Sequence, residues 1–330
     1  VARRAAASTT SEMGVVRRQI GLKSRHMPLR RLFAEAPNAI ARLKPCLLMS
    51  PLSVAQYLGP GVPPFDLVVF DEASQIPGWN SLGAIPRGAR VIVVGDSRQL
   101  PPTRFFEKDE PEDDLDDGEP EELESILDEC VAAGLHELRL GWHYRSRHES
   151  LIAFSNHHYY DNRLLTFPSA EAESPRRGVS LRHVADGVFD RGRSATNRRE
   201  ADALVADVVW RLTDPAESLR SLGVVTFSQA QQTLIEDLLE EERRRRPDVD
   251  AWFAAERDEP LFVKNLENVQ GDERDVILFS IAYGPDAAGR VYMNFGPLNR
   301  TGGERRLNVA VTRAREQIVV FASLTADRID

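Results

Sequence analysis

The stretch FDLVVFDEASQ, residues Phe65 to Gln75, decides the fold class, because a short apolar run ends abruptly in two adjacent carboxylates. Leu67 to Phe70 is predicted to form a buried strand. Asp71 and Glu72 follow at its carboxyl end, where open α/β sheets place their ligands. Phosphoryl transfer needs one carboxylate to hold magnesium and another group to orient the attacking water, and the pair suits these roles in that order. Alone the pattern is weak, since many strands end in a solvated acid pair.

A second stretch, VIVVGDSRQLPPT at 91–103, repeats the pattern. The predicted strand Val91 to Val94 leads into Gly95 and Asp96, and Gln99 follows in the same loop. A neutral amide can bond a phosphate oxygen and a neighbouring carboxylate, so Gln99 is a candidate sensor of a bound phosphate. The two strand ends together indicate a phosphate site at one edge of a sheet.

The rest of the chain alternates apolar runs with helical patterns, which indicates a parallel sheet with crossover helices. Further strands are predicted at Val179 to Val184, Leu222 to Thr226, Val276 to Ile281 and Ile318 to Phe321. Helices are predicted at Glu121 to Ala133, His148 to Tyr160, Arg198 to Leu212, Gln229 to Arg245 and Glu304 to Arg313. Asn197 is a predicted N-cap of the third helix. A boundary near Gly134 divides the chain into two α/β units.

Charge is distributed unevenly over the 330 residues, whose formal net charge is −9. Between Glu107 and Glu124, twelve acidic residues and one lysine give −11, which leaves +2 for the other 312 residues. Such a block is typical of a solvated linker, and an interaction or autoinhibitory tract is the alternative. Residues 1–44 carry ten Lys and Arg against Glu12 and Glu35. This excess fits contacts with a phosphate backbone, or else reflects an arginine-rich genome composition.

Cysteine content and hydropathy exclude several classes of protein. Cys46 and Cys130 are the only cysteines, so a disulfide framework, a zinc ribbon and an iron–sulfur cluster are not expected. No apolar run approaches the roughly 18 residues of a membrane span, and the arginine-rich start lacks the features of a signal peptide. We therefore expect a cytoplasmic protein without a membrane partner.

Six stretches carry a resemblance to a known family. DEASQ at 71–75 and GDSRQLPPT at 95–103 resemble motifs II and III of superfamily 1 helicases, in the branch of the nonsense-mediated-decay helicases and their bacterial relatives. LGWHYRSRHESLIAF at 140–154 resembles motif IV, ENVQGDERDVILFS at 267–280 motif V, and RRLNVAVTRAR at 305–315 motif VI. LGVVTFSQAQ at 222–231 is similar to a stretch that touches nucleic acid. The resemblance implies two RecA-like parallel-sheet domains of the P-loop NTPase type.

The resemblance also implies an ATP and Mg²⁺ site. Asp71 would hold the metal, Glu72 would activate water, and Gln99 would sense the γ-phosphate. Arg145 and Arg313 would be arginine fingers, a role that suits the planar, permanently charged guanidinium. The remaining residues assigned to the nucleotide are Gln75, Asp96, Gln270, Gly271, Glu273 and Arg315.

Contacts to single-stranded nucleic acid are implied in both units. KPCLLMSPLSVAQYL at 44–58 resembles a segment of the first domain that binds the strand. Ser50 and Ser53 would donate to phosphate, Tyr57 would lie beneath a base, and Thr226 would contact the backbone from the second domain. The alternative for part of this segment is that its leucines and valine are simply core. DNA is expected in preference to RNA.

A Walker A loop, G-x-x-x-x-G-K-[ST], is missing from the sequence. Of the four lysines, only Lys23 is followed by a serine, and Leu22 and Arg17 stand where the two glycines belong. We therefore expect a fragment whose P-loop lies upstream in a longer protein. Residues 1–136 would be a partial first RecA-like domain that ends in the acidic linker 107–124, and residues 137–330 a complete second one.

Four interpretations are open to the sequence. A fragment of an active motor is favoured over a degenerate motor, because Asp71, Glu72, Gln99, Arg145 and Arg313 are all of the types that hydrolysis needs. The alternative from another class is a non-catalytic scaffold that binds nucleic acid through its basic start. A nuclease is disfavoured, since no lysine completes an acidic-x-Lys site.

Overall fold

The computed structural model describes residues 11–102, 125–169 and 176–328. The predicted acidic linker 107–124 lies outside these ranges. Contacts between residues divide the chain into two units. Unit 1 comprises Val1–Ser97 and Pro101–Glu137, and unit 2 comprises Arg98–Leu100 and Leu138–Asp330.

Unit 1 combines short helices with two parallel strands. Its helices are α1 (Glu12–Ile20), α2 (Leu29–Glu35), α3 (Pro37–Leu43), α4 (Pro51–Tyr57), α5 (Gly78–Ser81) and α6 (Ile126–Ala132). Its strands are β1 (Val68–Phe70) and β2 (Val91–Val93), with Phe70 opposite Val93. Serine N-caps begin three helices at Ser11, Ser50 and Ser125, because each hydroxyl accepts a backbone N–H that the helix leaves unsatisfied.

Unit 2 contains a five-stranded parallel sheet. Its helices are α7 (Ser150–Tyr159), α8 (Arg198–Thr213), α9 (Gln229–Arg245), α10 (Pro247–Ala254) and α11 (Gly303–Val311). Its strands are β3 (Trp142–His143), β4 (Leu165–Thr166), β5 (Gly178–His183), β6 (Leu222–Thr226), β7 (Phe262–Asn265), β8 (Arg274–Ser280) and β9 (Ala314–Ala322). The large sheet has the order β5-β9-β8-β6-β7, and β3 pairs with β4 apart from it.

Two apolar clusters cover the two faces of the large sheet. Val224 of β6 is buried in one cluster with α8, α9 and α10, and its neighbour Val225 is buried in the other with α7 and α11. Leu278 and Ile277 of β8 alternate in the same way. This alternation explains the continuous apolar runs in the sequence, since a strand buried on both faces has no polar side.

The parallel α/β class predicted from the sequence is confirmed. Strand β7 was not predicted, and four short helices replace what the pattern left unassigned in 12–57. The predicted helix Glu304 to Arg313 ends instead at Val311, because the Thr312 hydroxyl donates back to the Asn308 and Val309 carbonyls, at 3.0 and 2.9 Å, and the chain turns into β9. None of the helices in the described ranges is long and apolar enough to cross a bilayer.

A buried polar cluster connects the carboxyl edge of the large sheet. Asn197 caps α8 as predicted, since its side chain accepts the Glu200 N–H at 3.2 Å. The fully buried Glu200 carboxylate accepts from Ser280 Oγ at 2.7 Å and from the Ala282 N–H at 2.6 Å. Gln231 donates to Ser280 Oγ at 3.0 Å. Burial raises the pKa of Glu200 to about 7.

The stability of the protein should therefore fall as pH rises through this range. The pKa of Glu200 lies above its ordinary value of 4.5, so the folded protein retains a proton that the unfolded chain has released. The free energy of unfolding should decrease by up to about 3 kcal/mol between pH 4.5 and 7, since one pKa unit corresponds to about 1.4 kcal/mol. Urea titrations across this window should show the slope, and Glu200→Gln should remove it.

The matched control is Glu236→Gln on the exposed surface of α9, which should keep the wild-type slope. An unchanged pH dependence in Glu200→Gln would contradict a protonated buried carboxyl.

Candidate functional sites at two sheet edges

The carboxylate pair of unit 1 lies at the carboxyl edge of its two-stranded sheet. Phe70, the last residue of β1, is buried, whereas Asp71 and Glu72 are exposed. Parallel pairing continues past the strands, because the Val94 N–H donates to the Phe70 carbonyl at 2.8 Å and the Ala73 N–H to the Val94 carbonyl at 2.9 Å. This extension fixes both ends of the turn that presents the two acids.

The turn itself is strained at Glu72. This residue has φ 51° and ψ 41°, a left-handed conformation that side chains other than glycine, asparagine and aspartate rarely adopt. Its N–H donates to Asp71 Oδ1 at 3.1 Å, and Gln75 Nε2 donates to its Oε2 at 3.4 Å. Strain of this kind occurs at functional sites, where the surrounding structure maintains it.

Gly95 lets the second strand-end loop approach this turn. A Cβ at this position would lie 3.0 Å from the Ser74 nitrogen and 3.1 Å from the Ala73 nitrogen, closer than real Cβ atoms usually come to backbone. The loop after β2, with the half-buried Asp96, therefore lies against the turn after β1. The two stretches that resemble motifs II and III meet inside unit 1 for this reason.

Asp71 fits a magnesium site built on a single carboxylate. Mg²⁺ is usually held by one or two carboxylates together with phosphate oxygens and waters. Among the described residues the Asp71 carboxylate is exposed and has no ion pair with a cation. That part of the chain also contains no group of three or more His, Cys, Asp or Glu side chains placed to hold a metal. A metal at Asp71 would thus depend on oxygens from the nucleotide and from water.

In unit 2 most of the residues predicted for the nucleotide site lie at the amino edge of the large sheet, where its parallel strands begin. Arg145 Nε donates to Glu273 Oε2 at 2.6 Å, and the other oxygen of Glu273 lies 3.6 Å from Arg315 Nη1. Glu273 directly precedes β8 and Arg315 is the second residue of β9. One carboxylate therefore bridges two of the predicted phosphate-binding arginines.

Arg315 connects this site to the beginnings of the neighbouring strands. Its Nε donates to Asp275 Oδ1 at 2.9 Å, its Nη2 to Ser221 Oγ at 2.8 Å, and its Nη1 to Glu259 Oε1 at 2.9 Å. A second contact from Nη2 to Glu259 makes that pair bidentate. The pKa of Glu259 is lowered, chiefly by these hydrogen bonds from Arg315. We refer to Arg315, Ser221, Glu259, Asp275 and Glu273 as the Arg315 cluster.

Arg313 and Gln270 lie at the same edge with different surroundings. The Arg313 side chain is buried, and its Nε donates to the Val309 carbonyl at 2.7 Å. Gln270 is half-buried, and within the described part of the chain its Nε2 is buried without a hydrogen-bond partner. Gly271 has φ 87°, a left-handed turn that glycine accommodates without strain.

Gln99 belongs to a short segment that packs with unit 2. Arg98–Leu100 groups with that unit rather than with the rest of its loop. Leu100 packs against the α7 and α11 side of the core, and Asn308 Nδ2 donates to the Arg98 carbonyl at 2.9 Å. Gln99 itself is half-buried.

The residues predicted to contact nucleic acid differ in accessibility. Ser50 is exposed but caps α4, where its Oγ accepts the Ser53 N–H at 3.2 Å and donates to Ser53 Oγ at 3.0 Å. Tyr57, the last residue of α4, is half-buried. Thr226 is fully buried, and its hydroxyl donates to the Ser228 carbonyl at 2.9 Å. Ser50 and Ser53 therefore satisfy each other, and the Thr226 hydroxyl does not face solvent.

Sequence reasoning missed Glu259, Asp275 and Ser221. Each lies at or just before the start of a strand, where an acid or a hydroxyl carries no motif of its own. The available signal was position: a polar side chain at the start of each of several parallel strands must share one edge of the sheet.

The parallel sheets, the acid pair on a strained turn and the arginines at a sheet edge are features of an α/β protein with a P-loop NTPase type of fold. The chain belongs to the AAA-domain family, whose model matches residues 123–325, and a second model with the same description matches residues 53–107. As the motifs predicted, it is a superfamily 1 helicase homologue in the branch of the nonsense-mediated-decay helicases.

The relatives of this chain are longer proteins. An uncharacterized ATP-dependent helicase of Mycoplasma genitalium is 36% identical over 269 residues, which cover 78% of this chain and 23% of the relative. The regulator of nonsense transcripts 1 of Dictyostelium discoideum is 25% identical over 78% of this chain and 18% of its own length. A 5′-3′ DNA helicase of Mus musculus is 26% identical over 80% of this chain and 13% of its own. The chain thus spans less than a quarter of these relatives.

Removing the Arg315 side chain should destabilise unit 2. Arg315→Ala would leave the carboxylates of Glu259, Asp275 and Glu273 close together without their shared cation, and we expect a loss of about 2–3 kcal/mol in the free energy of unfolding. Urea denaturation monitored by circular dichroism measures the change.

Arg244→Ala is the control, because that side chain is 75% exposed and lies 3.3 Å from Glu240. It should change stability by less than about 0.5 kcal/mol, as exposed ion pairs contribute little. Equal stability of the two variants would argue against a structural role for the Arg315 cluster.

Proposed function

We propose that this chain is the C-terminal portion of the motor of an ATP-dependent superfamily 1 helicase, which couples ATP hydrolysis to movement on single-stranded nucleic acid. The observation that supports this most strongly is the exposed Asp71–Glu72 pair on a strained turn at the end of a buried strand. An exposed carboxylate pair that includes a residue with an unfavourable backbone conformation contributes little to stability, and such strain is typical of functional sites.

In this proposal each residue has a distinct chemical task. Asp71 would hold Mg²⁺, which would supply positive charge beside the phosphates, and Glu72 would accept a proton from the attacking water. Gln99 senses the terminal phosphate. Arg145 and Arg313 stabilise the negative charge that develops on the transferred phosphoryl group. Gln75, Asp96, Gln270, Gly271, Glu273 and Arg315 complete the nucleotide site.

Arg145 must exchange one anionic partner for another. Its guanidinium donates to Glu273 at 2.6 Å, and 35% of its side chain is exposed. A γ-phosphate would compete with this carboxylate for the same planar donors. Arg313 needs a larger change, because it must leave its hydrogen bond to the Val309 carbonyl.

We further propose the domain organisation and partners of the intact protein. Residues 1–136 would be part of a first RecA-like domain and residues 137–330 a second, with a Walker A region supplied upstream by the same polypeptide. The strand would contact Ser50, Ser53 and Tyr57, and it would contact Thr226 once that buried side chain becomes exposed. DNA is proposed in preference to RNA; the name of one relative specifies DNA, and that of another specifies transcripts.

Glu72→Gln tests the proposed base in the full-length protein. The variant should retain ATP binding and lose turnover by about 100-fold or more, because the amide cannot accept the proton. A coupled ATPase assay with single-stranded DNA and a fluorescent nucleotide titration measure the two quantities. Glu236→Gln serves as the control with full activity, and normal turnover in Glu72→Gln would remove Glu72 from this role.

The 330-residue chain alone should show negligible ATP turnover and weak ATP affinity. Its sequence contains no Walker A loop, whose lysine and backbone amides would bind the phosphates. The full-length protein should hydrolyse ATP when single-stranded nucleic acid is added, more strongly with DNA than with RNA of the same sequence. Robust turnover by the isolated chain would contradict the need for an upstream P-loop. If the full-length protein binds nucleic acid with the same affinity with and without ATP, the result would favour a scaffold over a motor.

A further inference from the structure

The three N-terminal helices of unit 1 form a strongly basic surface that the nucleotide chemistry does not use. Residues 11–44 contain eight Lys and Arg and only two acids, Glu12 and Glu35. All eight cations are exposed. We name this set the α1–α3 surface: Arg17, Arg18, Lys23, Arg25, Arg30, Arg31, Arg42 and Lys44.

The two acids offset at most two of the eight positive charges, and each has defined partners. Glu12 accepts from Asn38 Nδ2 at 2.8 Å and from the Ala39 N–H at 2.6 Å, and the pKa of Glu12 is lowered, first by the Asn38 bond. Glu35 pairs with Arg31 at 2.7 Å. Glu12 thereby ties α1 to α3 and maintains the arrangement of the surface.

Most cations of the α1–α3 surface have no protein partner. Among the described residues, no side-chain hydrogen bond or ion pair involves Arg17, Arg18, Lys23, Arg25, Arg30 or Lys44. Another basic run, residues 243–246, is different. Arg243, Arg244, Arg245 and Arg246 each form an ion pair with a nearby acid, at distances of 3.0, 3.3, 3.5 and 2.7 Å. Of these two arginine-rich stretches, the structure leaves the N-terminal one available to an external anion.

The composition of this surface selects the kind of anion. Single-stranded nucleic acid is usually bound by basic grooves that also stack bases on aromatic side chains. Phe33 is the only Phe, Trp or Tyr in residues 11–44, and it is half-buried. Rows of exposed Lys and Arg without aromatic platforms suit a dense array of phosphates, and duplex DNA has the higher charge density.

We propose that the α1–α3 surface binds the phosphate backbone of duplex DNA without reading its sequence. This site goes beyond the proposed motor, since it contacts a duplex rather than the single strand and requires no ATP. Binding would release condensed counterions, so the affinity should fall steeply with salt. Val15, Ala36 and Ala39 are the buried apolar residues of this stretch.

The test compares three triple variants of the 330-residue chain. Arg17→Gln/Arg18→Gln/Arg30→Gln removes three cations from the helices. Glutamine is chosen because its helix propensity is close to that of arginine. Arg17→Lys/Arg18→Lys/Arg30→Lys keeps the charge. Arg243→Gln/Arg244→Gln/Arg245→Gln removes three paired cations as the control. Fluorescence anisotropy with a labelled duplex and a single strand, at several salt concentrations without nucleotide, gives Kd and its salt dependence, and circular dichroism confirms folding.

The N-terminal glutamine variant should bind the duplex on the order of 10-fold more weakly, and the slope of log Kd against log salt should fall by about 2–3, since each phosphate contact contributes about 0.9. Its affinity for the single strand should change less. The lysine variant and the control should stay within about twofold of wild type. An unchanged duplex Kd and slope in the glutamine variant would overturn the proposal.

Equal losses in the control would also overturn it, because they would reflect overall charge. A third outcome would also overturn it: the wild-type chain sediments with phosphatidylglycerol vesicles, and the N-terminal glutamine variant loses this sedimentation but binds the duplex as wild type does. These outcomes are independent of the motor proposal, since the Glu72→Gln assay depends on turnover and the duplex titration does not.

Discussion

The Arg315 cluster is the interaction on which the organisation of unit 2 depends. One guanidinium at the start of β9 reaches residues that precede or begin β6, β7 and β8, so a single cation fixes the relative positions of four strands at the amino edge. Glu273 extends the same cluster to Arg145. Because these carboxylates are close together, the shared positive charge reduces their mutual repulsion.

The opposite edge of the same sheet is fixed by neutral polar groups. Asn197, Gln231 and Ser280 surround Glu200, whose burial favours the protonated form. The two edges therefore respond to different conditions. An ion-paired edge weakens with salt, whereas a buried carboxyl responds to pH. Between them lies a core in which apolar side chains of β6, β8 and β9 pack against the helices on both faces of the sheet.

The sequence predicted the parts of the structure that burial determines. Runs such as Leu222 to Thr226 could only be strands covered on both faces, and the ends of β1 and β2 brought Asp71 and Asp96 to one edge, as expected. Strand β7 escaped prediction because it is four residues long and contains a lysine and an asparagine. The helices α1 to α4 bury few side chains, so their apolar periodicity was too weak to identify them.

The sequence pattern does not predict the direction in which the side chains of the site residues point. The motif shows that Arg313 and Arg315 are two residues apart. It does not show that Arg313 is buried against the preceding helix or that Arg315 extends along the sheet edge. Glu259 depended on a strand that was not predicted. The left-handed backbone at Glu72 could not be anticipated either, since nothing in DEASQ distinguishes a strained turn from an ordinary one.

Strand β8 runs from Arg274, beside the Arg315 cluster, to Ser280, which donates to Glu200. Its seven residues span about 20 Å, and it is paired with parallel neighbours on both sides. Its pairing with β9 is regular from Val276 to Ser280 and shifts register between Arg274 and Val276, next to the Arg315 cluster. One strand of seven residues therefore connects the ion-paired edge of the sheet to the edge that contains the buried Glu200 carboxyl.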